Sequence, residues 1–222
     1  LMGYTVRDMQ ARVNALMFED CPTGLLVVDG MNGPNTRAGI EQAMELRKVK
    51  RPHLLFNQSG LHGIIWHWAA SSYTVTDKVL SHYNDGHDHL GNSYDGGARA
   101  EHQANYDWRK GVGVSHSRNA NTGRIGQAVI AMGNAEGWPL DVGQYPMTWA
   151  GIDAMLMRGV DYHYQFDIPI TPWSMLTHAE IQPTLGITQN GKWDIRWLPE
   201  DAKVTDAREA GDILRARMRG ML

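Results

Sequence analysis

The chain has one cysteine, Cys21, among 222 residues, so no disulfide can form within it. It has no apolar run approaching the length of a membrane span. It lacks a basic excess as well. Lys and Arg number 21 against 24 Asp and Glu, and the net charge of -3 is the wrong sign for a phosphate-binding surface. There is no internal repeat and no low-complexity tract. The opening stretch Leu1-Met2-Gly3-Tyr4-Thr5-Val6-Arg7-Asp8 carries no apolar core of a secretory signal, and a Leu ahead of Met2 fits a fragment. These absences lead to the expectation of a protein made in a reducing cytosol, monomeric, with no nucleic-acid partner and no stable membrane insertion.

What is present is an ordinary globular composition, 42% hydrophobic and 20% charged, with ten histidines. Val6, Met9, Val13, Leu16 and Met17 recur at three- and four-residue spacing, which predicts a helix over 5–18. The run Leu25-Leu26-Val27-Val28 ends in the turn signal Asp29-Gly30, and Gly33-Pro34-Asn35-Thr36 opens a second helix over about 35–47. The basic stretch 47–52, closing on Pro52, reads as a linker, so a small helical domain over 1–50 and a larger domain over 51–222 are expected. In the larger part the sequence predicts strands at 63–68, 98–108 and 124–132, helices at 76–83, 147–164 and 206–221, and a long loop over 84–97. Interleaved strands and helices predict an α/β fold with a central mixed sheet flanked by helices.

The chemistry gathers in three segments. Ile64-Ile65-Trp66-His67-Trp68 ends an apolar run with an imidazole, Leu176-Thr177-His178 supplies a second, and Lys192-Trp193-Asp194 adds a carboxylate beside a cation. Taken singly, each of these histidines is more often a packed core residue, and Asp194 a turn cap. Together, two His and one Asp suit a catalytic zinc, which keeps three protein ligands and leaves a position for water. His62, His82, His87, His89 and His163 fit no such pattern and read as structural or solvated.

The order of these segments resembles the zinc-dependent N-acetylmuramoyl-L-alanine amidases, the family of phage amidases and animal peptidoglycan recognition proteins. The likeness runs over about 60–200 and includes Gly113-Val114-Ser115-His116-Ser117, then Asn119-Ala120-Asn121-Thr122-Gly123-Arg124-Ile125-Gly126. It implies His67, His178 and Asp194 as ligands of Zn2+, Lys192 as the catalytic cation at the developing oxyanion, and His116, Asn121 and Thr122 against substrate. The family's base position is less direct, because Gln127-Ala128 follows Ile125-Gly126 where some members carry Glu. One alignment puts Glu101 in the catalytic position and is favoured by strand propensity; another puts Tyr83 there and fits the spacing to His116 better. Trp138, Trp149, Trp173 and Trp193 offer faces for a sugar cleft or, singly, for packing.

Gln10 together with Asp29-Gly30-x-x-Gly33-x-x-Thr36 resembles the three-helix peptidoglycan-binding domain over about 4–50. The two likenesses together imply a peptidoglycan hydrolase of the phage endolysin type. Such a protein is bacteriolytic, cutting the bond between N-acetylmuramic acid and L-alanine. It is made in the host bacterial cytoplasm, then passes to the periplasm and cell wall at lysis through a separate membrane-permeabilising partner. By analogy the host is Gram-negative. Arg208, Arg215, Arg217 and Arg219 on the last helix read as a solvated face, or as a contact to anionic envelope. The rival readings are a non-catalytic recognition protein, a wall endopeptidase and a cytosolic recycling amidase.

Overall fold

The structure, a computed structural model, describes residues 4–56 and 59–222. Leu1, Met2 and Gly3, the start of the opening stretch and of the expected first domain, lie outside the described residues. A five-stranded sheet forms the centre, with β1 (Gly63–Trp68), β2 (Asp85–His87), β3 (Ser93–Asp95), β4 (Arg124–Val129) and β7 (Met175–Thr177) in the order β3-β2-β4-β1-β7. The β1–β4, β1–β7 and β2–β4 pairs are parallel and β2–β3 is antiparallel, so the sheet is mixed. A two-stranded hairpin, β5 (Glu136–Gly137) and β6 (Leu140–Asp141), stands apart.

Both faces of the sheet are covered, and alternation along β1 sorts its side chains between them. Ile64, Trp66 and Trp68 belong to the larger core, with Ile152, Met155 and Leu156 of α4 (Trp149–Phe166) and Leu214 and Met218 of α6 (Ala207–Arg219). Ile65 belongs to the opposite face, with Ala11 of α1 (Val6–Met17) and Ile181 and Leu185 of α5 (His178–Leu185). His67, two residues after Ile65, emerges on that second face at the C-terminal end of the strand. In open sheets with parallel strands this end is where ligands bind.

The helix expectations at 5–18, 35–47, 147–164 and 206–221 correspond to α1, α2 (Pro34–Leu46), α4 and α6. Three others need correction. Residues 98–108 are not a strand: Ala100–Asn105 is a 3-10 helix, in keeping with a segment that has no β-branched side chain. Residues 84–97 are not a bare loop, since they supply β2 and β3. Asp-Gly-His does not look like a buried strand, yet it is one because its polar groups satisfy each other. Asp85 accepts from His87 at 2.7 Å, Tyr162 at 2.8 Å and Gln127 at 3.0 Å. The helix over 76–83 shrinks to the single turn α3 (Asp77–Leu80).

The N-terminal segment holds together through the residues that carried its resemblance. Gln10 donates to Asp29 at 2.7 Å and Thr36 at 3.0 Å, and the Gly30 amide donates back to Gln10 at 2.8 Å. Besides the apolar packing of Ala11, ion pairs tie it to the rest of the chain. Arg124 at the start of β4 donates to Asp8 at 2.6 Å, with His62 beside the same carboxylate at 3.3 Å. Arg12, itself buried, reaches Asp167 at 3.0 Å. Among the described residues no helix is long and apolar enough to cross a membrane.

Candidate metal centre

Three elements deliver one side chain each. His67 comes from the end of β1. His178 is the first residue of α5, directly after β7, which pairs with β1. Asp194 follows in the loop after α5, where its carbonyl accepts from the Ala179 amide at 2.7 Å and so fastens that loop to the helix start. The entry to α5 is fixed by Glu180, whose carboxylate accepts from the Thr177 amide at 2.9 Å and from Arg215 at 2.8 and 3.0 Å. Arg215 is therefore a buried partner of α5 and not part of a solvated face, which corrects that expectation.

The three side chains are buried and offer one ligand atom each, all within 4.8 Å of one another. His67 Nδ1 lies 2.9 Å and His178 Nδ1 3.0 Å from the same Asp194 Oδ2. The outer nitrogens decide where the protons are. His116 Nε2 faces the Arg124 carbonyl at 3.1 Å, and a carbonyl only accepts, so the proton of His116 sits there. His116 Nδ1 is then the acceptor for His67 Nε2–H at 3.1 Å. On the other side Gln189 Nε2 donates to the carbonyls of Arg118 at 2.8 Å and Ile187 at 3.3 Å, which turns its Oε1 toward His178 Nε2–H at 2.9 Å. In these tautomers both imidazoles point a bare Nδ1 at a carboxylate oxygen. Three lone pairs meet with no proton assigned between them, a cluster that a cation completes. Metal bonds of ~2.0–2.2 Å put tetrahedral neighbours ~3.3–3.6 Å apart, so these two contacts open slightly around an ion. The outer partners His116 and Gln189 fix ring orientation and tautomer, as partners of metal-bound histidines do.

The electrostatics agree. Burial is the largest influence on His67 and brings it down to about 4, so its imidazole is neutral at pH 7. Burial lowers His116 as well, below the usual histidine range, with the neighbouring His67 adding to it. A metal would find the His67 imidazole unprotonated at neutral pH.

The remaining expected site residues divide. Lys192, His116, Asn121 and Thr122 line an open cleft of about 850 Å³ that reaches His178. Lys192 is exposed there, whereas Asn121 is buried and its Oδ1 accepts from the amides of His116 and Ser117 at 3.0 and 2.8 Å, so it shapes the loop. Glu101 does not join them. It lies on the 3-10 turn, pairs with Arg99 at 3.3 Å and lines a different cleft beside Arg158 and Tyr162. Tyr83 does join them, its ring 5.3 Å from that of His67. Ala128 stands opposite His67 in the β4 register, so that neighbour brings no carboxylate. His116 fits over Gly126, where a Cβ would stand 2.4 Å from the imidazole Cγ.

Sequence reasoning missed Gln189 and the cleft aromatics Tyr106 and Trp108. Gln189 sits in a loop with no periodic signal, and only its contact with His178 reveals it. The four tryptophans named from the sequence are elsewhere. Trp193 packs edge-on against Trp68 at 4.5 Å, Trp149 lies under Arg217, Trp173 lies against Phe18 and Arg208, and Trp138 is exposed on the β5–β6 turn. No protein-family model matches the chain, and neither a curated protein nor a solved structure matches it.

Proposed function

We propose that this chain is a zinc-dependent amidase that cleaves the bond between N-acetylmuramic acid and L-alanine in bacterial peptidoglycan. The observation that carries the reading is the convergence of His67, His178 and Asp194, with His178 and Lys192 lining one open cleft. Two imidazoles and one carboxylate form a set that suits zinc and leaves room for solvent. Zinc in such a set supplies Lewis acidity toward a carbonyl and toward water.

The chain's own groups do the rest. Lys192, an exposed ammonium lining the same cleft as His178, stabilises negative charge as it develops on the amide oxygen. Losing one such donor typically costs ~10²–10³ in rate. Tyr83 is raised above the usual tyrosine range, chiefly by burial and then by Asp194, so it stays a neutral hydroxyl at pH 7. It is suited to donating a hydrogen bond beside His67 and unsuited to taking a proton. The first fifty residues serve as the wall-holding unit in this reading, and their groove of about 650 Å³ along Gln10, Leu26, Asp29 and Gln42 suits a glycan. Holding the enzyme at the wall raises local substrate concentration without altering the chemistry.

The test is mass analysis of peptidoglycan digested by the purified protein, alongside its metal content. Stem peptides released with a free L-alanine amine, by protein carrying about one zinc, are expected. His178→Ala should lose both the zinc and the cleavage. Release of fragments cut within the stem would replace the reading with an endopeptidase, and binding without any fragment would replace it with a recognition protein.

A further inference from the structure

The metal cleft does not end at the catalytic side chains. A second cleft of about 630 Å³ continues from it, and Arg118, Asn119 and Thr122 line both. Its far wall belongs to the N-terminal segment, through Thr5, Val6 and Arg7 of α1 and its cap and through Gly30. The joined clefts are basic in a chain of net charge -3. Arg7, Arg109, Arg118, Arg124 and Lys192 line them against only Asp8 and Asp107. Both carboxylates are already engaged, Asp8 by Arg124 at 2.6 Å and Asp107 by Lys110 at 3.2 Å.

Two cations remain for a ligand at the junction. Arg118 is exposed and has no ion pair among the described residues, while its carbonyl is held at 2.8 Å by Gln189, the same side chain that orients His178. Arg7 spends one guanidinium nitrogen on the Val28 and Leu185 carbonyls, at 2.7 and 2.9 Å, and makes no other hydrogen bond among the described residues. The opposite end of the metal cleft is different in kind. Trp108 is 69% exposed there with Arg109 over its ring, an apolar plate.

We infer that the substrate lies across the metal in one direction, with its sugar toward Trp108 and the free carboxylates of its peptide in the second cleft, held by Arg118 with Arg7 of α1. The N-terminal segment is then a wall of the substrate site itself as well as a wall anchor. This rests on the amidase reading above for the identity of the ligand, while the anion site rests on the joined basic cleft. Guanidinium forks suit carboxylates because two parallel N–H donors match two oxygens.

The test uses the full zinc-loaded chain and two soluble probes, a muramyl peptide with free stem carboxylates and the same compound with those groups as carboxamides. The acid should bind more tightly. Arg118→Gln should weaken the acid by about 10- to 100-fold and leave the carboxamide unchanged. Amide resonances of Thr5, Val6, Arg7 and Gly30 should shift on adding the acid, a readout that needs no variant of α1. Equal affinity for both probes, an unchanged preference in Arg118→Gln, or shifts confined to residues 106–122 and 178–192 would overturn the inference. Cleavage of both probes at equal efficiency would also overturn it and leave the amidase standing. Tight, Arg118-dependent binding of the acid without cleavage would support the anion site and remove the amidase.

Discussion

At the scale of single residues the site is a problem in proton placement. His67 and His178 act as ligands only if their outer nitrogens keep the proton, and that is the work of His116 and Gln189. Replacing Gln189 with Leu removes the acceptor that fixes His178 while leaving the three ligands in place. Metal affinity is expected to fall ~10–100-fold, the usual effect of losing such a partner, and the metal-free protein should melt lower too, because Gln189 is buried and its partners lose a hydrogen bond. Titration with a competing chelator measures it, and an unchanged affinity would mean that His178 needs no help to hold its tautomer. The pH dependence follows from His67, whose folded value of about 4 lies below its ordinary 6.5. Between those values the unfolded chain binds the proton and the folded chain does not. The metal-free protein therefore loses stability as pH falls from 6.5 toward 4 and keeps this contribution above 6.5. Metal affinity should drop steeply once His67 begins to protonate, and the same chelator titration repeated from pH 7 to pH 4 checks this. Of this layer the sequence offers the three side chains that meet, because two His and one Asp suit a metal. It hides Gln189, whose only signal is a contact made in three dimensions.

At the scale of elements, the sheet places His67 and the α5–α6 contact places His178. Glu180, in the first turn of α5, is fully buried and joined to Arg215 of α6. Gly211 of α6 makes room for it: a Cβ there would stand 2.1 Å from Glu180 Oε2. Gly211→Ala sets two effects against each other. Helix propensity favours alanine by ~0.8–1 kcal/mol. Displacing a carboxylate bound by Arg215 and the Thr177 amide costs more, because overpacking alone costs ~1–3 kcal/mol and an unpaired buried charge adds to it. A net loss of stability with weakened metal binding is expected, since His178 lies two residues from Glu180. Thermal melts with and without metal read both, and a stabilised variant would show that Glu180 has slack. The elements found from sequence carry a local signal: apolar spacing in α1 and α4, an opening turn at α2, and apolar runs at β1 and β4. Besides the short β7 and α5, two missed segments have polar reasons to exist. β2 is buried through an Asp85–His87–Tyr162 network, and Ala100–Asn105 is held by Gln103, whose amide binds Val114 at 2.8 and 3.0 Å. Hydrophobic periodicity cannot see either.

At the scale of the whole molecule, the question is how the first fifty residues and the sheet domain stay together. The basic stretch 47–52 reads as a linker, yet α1 shares a core with β1 and α5 and its Asp8 is buried against Arg124 and His62. Neighbouring charges over 47–52 say nothing of contacts made by residue 8 with residue 124, so this was beyond the sequence. Burial acts to raise Asp8, but Arg124 first and then His62 and Thr5 reverse it, and the carboxyl stays well below the usual range. A depressed carboxylate stabilises the fold above its unfolded pKa of ~3.9, and the contribution is lost as pH falls below that toward the folded value. Asp8→Ala leaves Arg124 buried without its partner, which typically costs ~3–5 kcal/mol at neutral pH. The difference between variant and parent should therefore be large at pH 7 and shrink as the pH is taken below 4, where the unfolded parent takes up a proton on Asp8 that the folded parent does not. Denaturant unfolding across that range measures it. Hydrogen exchange separates two ways of reaching the same loss. If α1 alone becomes exchange-labile while β1 and β4 remain protected, the ion pair is a clasp between two bodies that fold separately. If protection falls everywhere together, α1 is part of one cooperative core, and the cleft it walls can exist only when the sheet beneath it is folded.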